Sequence, residues 1–119
     1  MRRGEIYLVN FGKKYNSEFG KIRPALIIQN DIANRVLDRV AFKGITLLPL
    51  TTRLTGGSLR VRIPARDNLQ KESEICINEI CTLDLSRIDH STILTTLTPQ
   101  ELLEVNQKLA RHLDISLPH

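Results

Sequence analysis

Tryptophan is absent from this 119-residue chain, and with two tyrosines and three phenylalanines aromatic residues make up only 4%. A surface paved with many rings for stacking bases is therefore excluded. Cysteine is nearly as scarce. Cys76 and Cys81 match no CxxC pattern and have no histidine cluster beside them, so they read as reduced core thiols. Strand residues five apart face opposite sides and cannot be bridged. The same poverty of cysteine and histidine leaves no metal-ligand spacing, and neither a metal nor a cofactor is expected. No apolar run approaches the ~20 residues that span a bilayer, and Met1-Arg2-Arg3-Gly4-Glu5 has none of the apolar character of a signal peptide. The expectation is a cytoplasmic protein with no membrane partner, built as one domain over residues 1–119.

Acids are scarce in one half only. Residues 1–66 carry 13 Lys and Arg against 4 acids, and residues 67–119 carry 4 against 9. The formal net charge of +4 thus hides a strongly basic first half and an acidic second half. Such asymmetry suits a cationic face that meets nucleic acid through counterion release. It equally suits two halves that neutralise each other once folded.

The hydrophobic patterning is that of short strands. In 5–11, Ile6 and Leu8 share one face while Tyr7, Val9 and Phe11 share the other. Residues 24–29 form an apolar run buried on both sides, ending at the turn formers Gln29-Asn30-Asp31. Residues 32–40 fit either a short helix or an irregular connection. In 44–52 a third strand contains Pro49, which cannot donate to a ladder and is expected at an edge or a bulge. Leu59, Val61 and Ile63 alternate with Arg60, Arg62 and Pro64, predicting a half-buried strand with its arginines outward. Residues 74–83 predict one strand interrupted by Asn78 and Glu79. After a turn at 85–88 and a possible strand at 91–97, Thr98, Pro99 and Glu101 supply the N-cap, N1 proline and capping-box partner of a terminal helix, with Leu102, Leu109 and Leu113 on one stripe. The sum is a mainly β chain with short helices (α+β), a small bent antiparallel sheet or barrel closed by a C-terminal helix.

The stretch from Ser17 through Gly20 to Arg23-Pro24 places a polar loop and a permanently charged guanidinium at the mouth of a strand. That arrangement suits an anion, because a guanidinium can donate two parallel hydrogen bonds to phosphate oxygens. Thr51 ends the third strand with a hydroxyl that could donate to the same anion; its bland alternative is a strand-end threonine bonded to backbone. Glu18 and Glu79 are the acids suited to accept a proton, against a solvated loop acid and a buried arginine partner respectively. Lys13, Lys14, Ser17, Lys21, Thr52, Arg53, Arg60, Arg62 and Asn78 could position a phosphodiester strand. Tyr15 and Phe19 could stack on a base. His90 and His112 fall in a turn and on the terminal helix, where surface roles are expected.

Arg3-Gly4-Glu5-Ile6-Tyr7-Leu8-Val9, the Ser17-to-Asp31 stretch, Leu48-Pro49-Leu50-Thr51 and Cys81-Thr82-Leu83-Asp84 together resemble the MazF/PemK (Kid) family of toxin endoribonucleases over nearly the whole chain. The resemblance implies an SH3-like barrel, a homodimer, metal-independent cleavage of single-stranded RNA (mRNA) and inhibition by an acidic cognate antitoxin. It implies that Arg23 and Thr51 are catalytic, with Thr46 and Thr52 as alternative registers for the threonine, and that Glu18 belongs to the substrate loop. The later strand departs from the family pattern. Cys81 stands where many members carry arginine, and Cys76 and Asn78 align with an arginine and an aspartate used in cleavage by Kid-like members. Two other functions fit this outline: a non-enzymatic, CcdB-like toxin acting on gyrase, and a catalytically impaired relative that binds RNA or antitoxin.

Overall fold

A computed structural model describes residues 1–12 and 22–116. The expected RNA contacts Lys13, Lys14, Tyr15, Ser17, Phe19 and Lys21 and the candidate acid Glu18 lie outside the described residues. The strands are β1 (Glu5–Asn10), β2 (Ile22–Ile27), β3 (Gly44–Thr51), β4 (Arg60–Ile63), β5 (Ser73–Cys76), β6 (Cys81–Asp84), β7 (Ile88–Asp89) and β8 (Thr95–Thr96). The helices are α1 (Asp31–Arg35) and α2 (Pro99–His112). The sheet runs β4-β5-β3-β2-β1-β7 with β6 added to β3 and β8 to β1, and every pairing is antiparallel. This is the expected bent, mainly antiparallel sheet with one main helix.

Two apolar layers explain why β2 and β3 read as nearly unbroken hydrophobic runs. Ile6, Leu26, Leu48, Leu50, Val61 and Ile75 face one layer, which α2 covers with Val105, Leu102 and Leu109. Tyr7, Val9, Ala25, Ile27, Ile45 and Leu47 face the other, closed by Phe11, Leu37, Leu83 and Ile88. Leu8 shares Ile6's face but lies past the covered part of the layer and is 37% exposed. The Tyr7 hydroxyl donates to Glu5, and burial, more than that bond, raises its pKa.

Several expectations change in detail. Arg23 lies within β2 and not before it, paired with Val9. The segment after β2 is a short helix whose N-cap is Asn30, accepting from the Ala33 N–H; Asp31 is the first helical residue and accepts from the Arg3 N–H. A 3-10 turn at Leu37–Arg39 follows. Pro49 sits in the central strand and not at an edge. It stands opposite Ala25, between the segment of β3 paired with β6 and the segment paired with β5. That change of partner is where a missing N–H costs least. Asn78 and Glu79 do not interrupt one strand. They belong to the 3-10 turn Ile77–Glu79 that separates β5 from β6, so two strands stand where one was expected. In α2 the full capping box forms at Thr98 and Glu101, with Pro99 at the start. Leu113, expected on the apolar stripe, is the C-cap residue and is exposed.

Candidate functional site

The registers build a row of side chains across five strands. Val9 pairs with Arg23 across β1 and β2, and the β2–β3 ladder matches Ala25 with Pro49, Leu26 with Leu48 and Ile27 with Leu47. Continued along the same register, that ladder sets Arg23 opposite Thr51. Thr51 in turn pairs with Glu74 on β5, and Glu74 with Arg62 on β4. Directly opposed residues of antiparallel strands present their side chains on one face, with Cβ atoms about 5 Å apart. Arg23, Thr51, Glu74 and Arg62 therefore share a face. Arg60 shares this face two residues along, opposite Cys76.

Thr51 is 3% exposed, and its hydroxyl oxygen accepts the Arg53 N–H at 3.1 Å. The bland reading of a strand-end threonine bonded to backbone is thus part of its role. The acceptor bond leaves the hydroxyl proton available for donation. The other two threonines fall elsewhere. Thr46 lies toward the far end of β3, opposite Thr82, with the two hydroxyls 3.0 Å apart. Thr52 turns to the opposite face and lines a cavity of about 340 Å³ with Leu8, Pro24, Leu69 and Leu94 as its apolar wall.

Glu74 is the residue that sequence reasoning missed. It is 1% exposed, and its carboxylate accepts the Thr55 N–H at 3.0 Å, the Gly56 N–H at 3.0 and 3.2 Å, and the guanidiniums of Arg62 at 3.0 Å and Arg60 at 3.5 Å. Burial pushes its pKa up, but the Thr55 N–H, the Arg62 bond and the Gly56 N–H together outweigh burial and hold it below the ordinary glutamate value. It is ionised, and so well satisfied that it is a poor proton acceptor. The turn it fixes needs glycine, since Gly56 and Gly57 have φ of +71° and +104°. The signal was an acid heading the run Glu74-Ile75-Cys76, in phase with the arginines of the next strand in the sheet.

This finding corrects the arginine reading. Arg60 and Arg62 were expected outward, without acids, as phosphate contacts, but both are joined to Glu74. Arg62 nevertheless stays 51% exposed along its side chain, against 17% for Arg60. Arg66 is engaged elsewhere, donating twice to Glu101, once to the Thr95 hydroxyl and once to the Thr96 carbonyl. The two halves of the chain therefore neutralise each other in part.

The remaining residues scatter. Arg53 is exposed just past β3. Asn78 is exposed and lines a shallow depression with Arg60 and Gly56 to Leu59. Glu79 is half-buried, two residues before Cys81, whose thiol pKa is raised by burial first and then by the Glu79 charge. Neither Cys76 nor Cys81 is in a disulfide, and one is buried and the other partly so. His90 and His112 are exposed. Among the described residues no group of His, Cys, Asp and Glu could hold a metal ion, and no helix is long and apolar enough to cross a membrane.

A family model described as PemK-like, MazF-like toxin of type II toxin-antitoxin system matches residues 2–113. Endoribonuclease MazF of Staphylococcus saprophyticus is 34% identical over 124 residues, covering 98% of this chain and 91% of that protein. The crystal structure of MazF from Deinococcus radiodurans superposes with a TM-score of 0.75 at 25% identity, covering 96% of each chain. A MazE-MazF crystal structure from the same organism gives 0.74 at 25% identity, covering 98% of each.

Proposed function

The chain belongs to the family of PemK-like, MazF-like toxins of type II toxin–antitoxin systems, and from that premise we propose that it is a sequence-selective endoribonuclease cutting single-stranded RNA without a metal ion. The observation that carries this reading is the β2–β3 register, which sets Arg23 and Thr51 each two residues beyond the Ala25–Pro49 pair on neighbouring strands. Relatives named as endoribonucleases favour it over the gyrase-directed alternative. Cleavage by this route has the ribose 2′-OH attack the neighbouring phosphorus. The 2′-proton goes to a base, the bond to the 5′-oxygen breaks, and that oxygen gains a proton. The products are a 2′,3′-cyclic phosphate and a 5′-hydroxyl.

Arg23 holds the charge of the phosphorane, where two parallel N–H donors act most strongly. It is a poor general base, since a guanidinium keeps its proton at any cellular pH. Thr51 donates its hydroxyl proton to a phosphate oxygen while its lone pair stays on the Arg53 N–H. Proton transfer falls to Glu18 or Glu79. Arg53, Arg62 and Asn78 serve as strand contacts. The protein works in the cytoplasm as one domain over residues 1–119, forms a homodimer and is held inactive by an acidic cognate antitoxin. The MazE-MazF complex of a relative supports the antitoxin partner.

The test is incubation of purified protein with mixed single-stranded RNA in excess EDTA, beside Arg23→Ala, with mapping of the ends. Cuts that leave 2′,3′-cyclic phosphate and fall at least ~100-fold in the variant are expected. Equal cutting by both proteins would remove Arg23 from the mechanism.

A further inference from the structure

Beside the two residues placed in the reaction lies a buried carboxylate with five donor contacts, and the mechanism gives it no chemical task. Glu74 occupies the position between Thr51 and Arg62 in the cross-strand row. Its two oxygens are bonded on one side to the N–H groups of Thr55 and Gly56 and on the other to Arg60 and Arg62. A structural anchor for the turn would need only the two backbone bonds. The two guanidiniums do something further. They are held on the face that carries Arg23 and Thr51, and Arg62 keeps half of its side chain in solvent, where a phosphate can reach its remaining donors.

We propose that Glu74 is a positioning residue: its carboxylate sets the Arg62 guanidinium and the Thr55–Gly56 turn at fixed places beside Thr51, so that the RNA strand is registered on Arg23 and Thr51. This rests on the endoribonuclease reading above. A guanidinium fixed by a carboxylate presents its free donors in one orientation, and an RNA phosphate meeting it need not order a long side chain. The same carboxylate cancels cationic charge, which weakens RNA binding at sites other than the productive one. Positioning is gained and indiscriminate affinity is lost.

That trade gives a signature no purely structural role reproduces. Glu74→Gln keeps the shape and one oxygen for the turn but releases the arginines' charge. In steady-state cleavage, kcat is expected to fall about 10-fold, the low end of what mispositioned groups cost. RNA affinity, measured under EDTA, is expected to rise. The salt dependence of binding should steepen by roughly one phosphate contact, about 0.7 in the slope of log K against log salt for single strands. Adding Arg62→Ala to Glu74→Gln should return the slope to its wild-type value. A Glu74→Gln protein with wild-type kcat and an unchanged slope overturns the proposal and leaves the nuclease reading intact. Should wild type bind RNA yet not cut it, the nuclease reading fails and the salt slopes alone still decide on Glu74. If Glu74→Gln does not fold, Arg62→Ala alone serves, because Arg62 is largely exposed. It should lower kcat/KM about 10-fold, and unchanged kcat/KM overturns the proposal.

Discussion

Two arginine–glutamate clusters join the basic first half of the chain to its acidic second half, and they differ in what lies beside them. Arg66 meets Glu101 in a bidentate pair with bonds of 2.6 and 2.8 Å, and its other donors go to Thr95 and the Thr96 carbonyl. The Glu101 carboxylate also caps α2 through the Thr98 N–H. This cluster ties the end of the β4 hairpin to the helix, and it uses four of the five Arg66 donors within the protein. The Glu74 cluster is looser on its cationic side, at 3.0 and 3.5 Å, and shares its face with Arg23 and Thr51. Ion pairs with the same chemistry therefore differ in what they stand beside, one as a brace against the helix and the other on the face that carries Arg23 and Thr51.

The contrast breaks most sharply on activity. Thr51→Ala should lower kcat about 100-fold, or ~2.7 kcal/mol of transition-state stabilisation, as expected for one lost donor at a developing oxyanion. Thr46→Ala, at the far end of the same strand, should stay within about twofold, because a surface hydroxyl pair is of small energetic value. Steady-state cleavage of a short RNA measures both. A Thr51→Ala enzyme at wild-type rate would reduce Thr51 to its backbone bond with Arg53. The reverse pattern belongs to the brace. Arg66→Ala should cost about 2 kcal/mol in urea unfolding, since it strands a partly buried carboxylate, while kcat stays within about twofold. Should kcat collapse while stability holds, the two clusters have been assigned the wrong way round.

Much of this was legible in the residues themselves. The inward Val61 and Ile63, the two-sided burial within 24–29 and the Thr98-to-Glu101 cap are local patterns that emerged as read, whereas Leu59, expected inward with them, is exposed and precedes β4. What failed was non-local. Arg60 and Arg62 look unpaired because their acid lies 14 and 12 residues onward, respectively, on another strand. Arg66 finds its acid 35 residues away. Pro49 looked like an edge residue because the strand's change of partner from β6 to β5 depends on a turn at Ile77–Glu79 that itself read as strand. At the site, residue types pointed to Arg23 and Thr51, but the register that brings their two strands together is supplied only by the folded sheet.

Acid should weaken both clusters by the same route. The Glu74 pKa is lowered because its hydrogen bonds overcome burial, and that of Glu101 is lowered chiefly by the Arg66 bonds. A carboxylate with a depressed folded-state pKa contributes stability at pH values above its unfolded value, and that contribution disappears as pH falls through the folded value. Urea midpoints should hold from neutrality to about 4.5, the ordinary glutamate value, and decline below it. Glu101→Gln should start lower and decline less steeply. A parallel decline in the variant would mean that Glu101 carries none of the acid sensitivity.

The smallest effect examines whether the brace acts as one unit. Thr98 accepts the Glu101 N–H at 3.2 Å, while the Glu101 carboxylate accepts the Thr98 N–H at 2.9 Å and holds Arg66 at the same time. Thr98→Ala removes the first of these bonds and should cost about 1 kcal/mol, the usual value of an N-cap. Because Glu101 is kept in its rotamer from both sides, losing the cap should also loosen its grip on Arg66. The double variant Thr98→Ala with Arg66→Ala should then cost less than the two single changes together, by about 0.5 kcal/mol or more. Strict additivity would separate helix capping from the tie to β4 and leave the Arg66 pair as a local contact. A coupling of that size would show the brace reaching from the β4 hairpin into the first turn of α2, with the Glu74 cluster free to serve the RNA face.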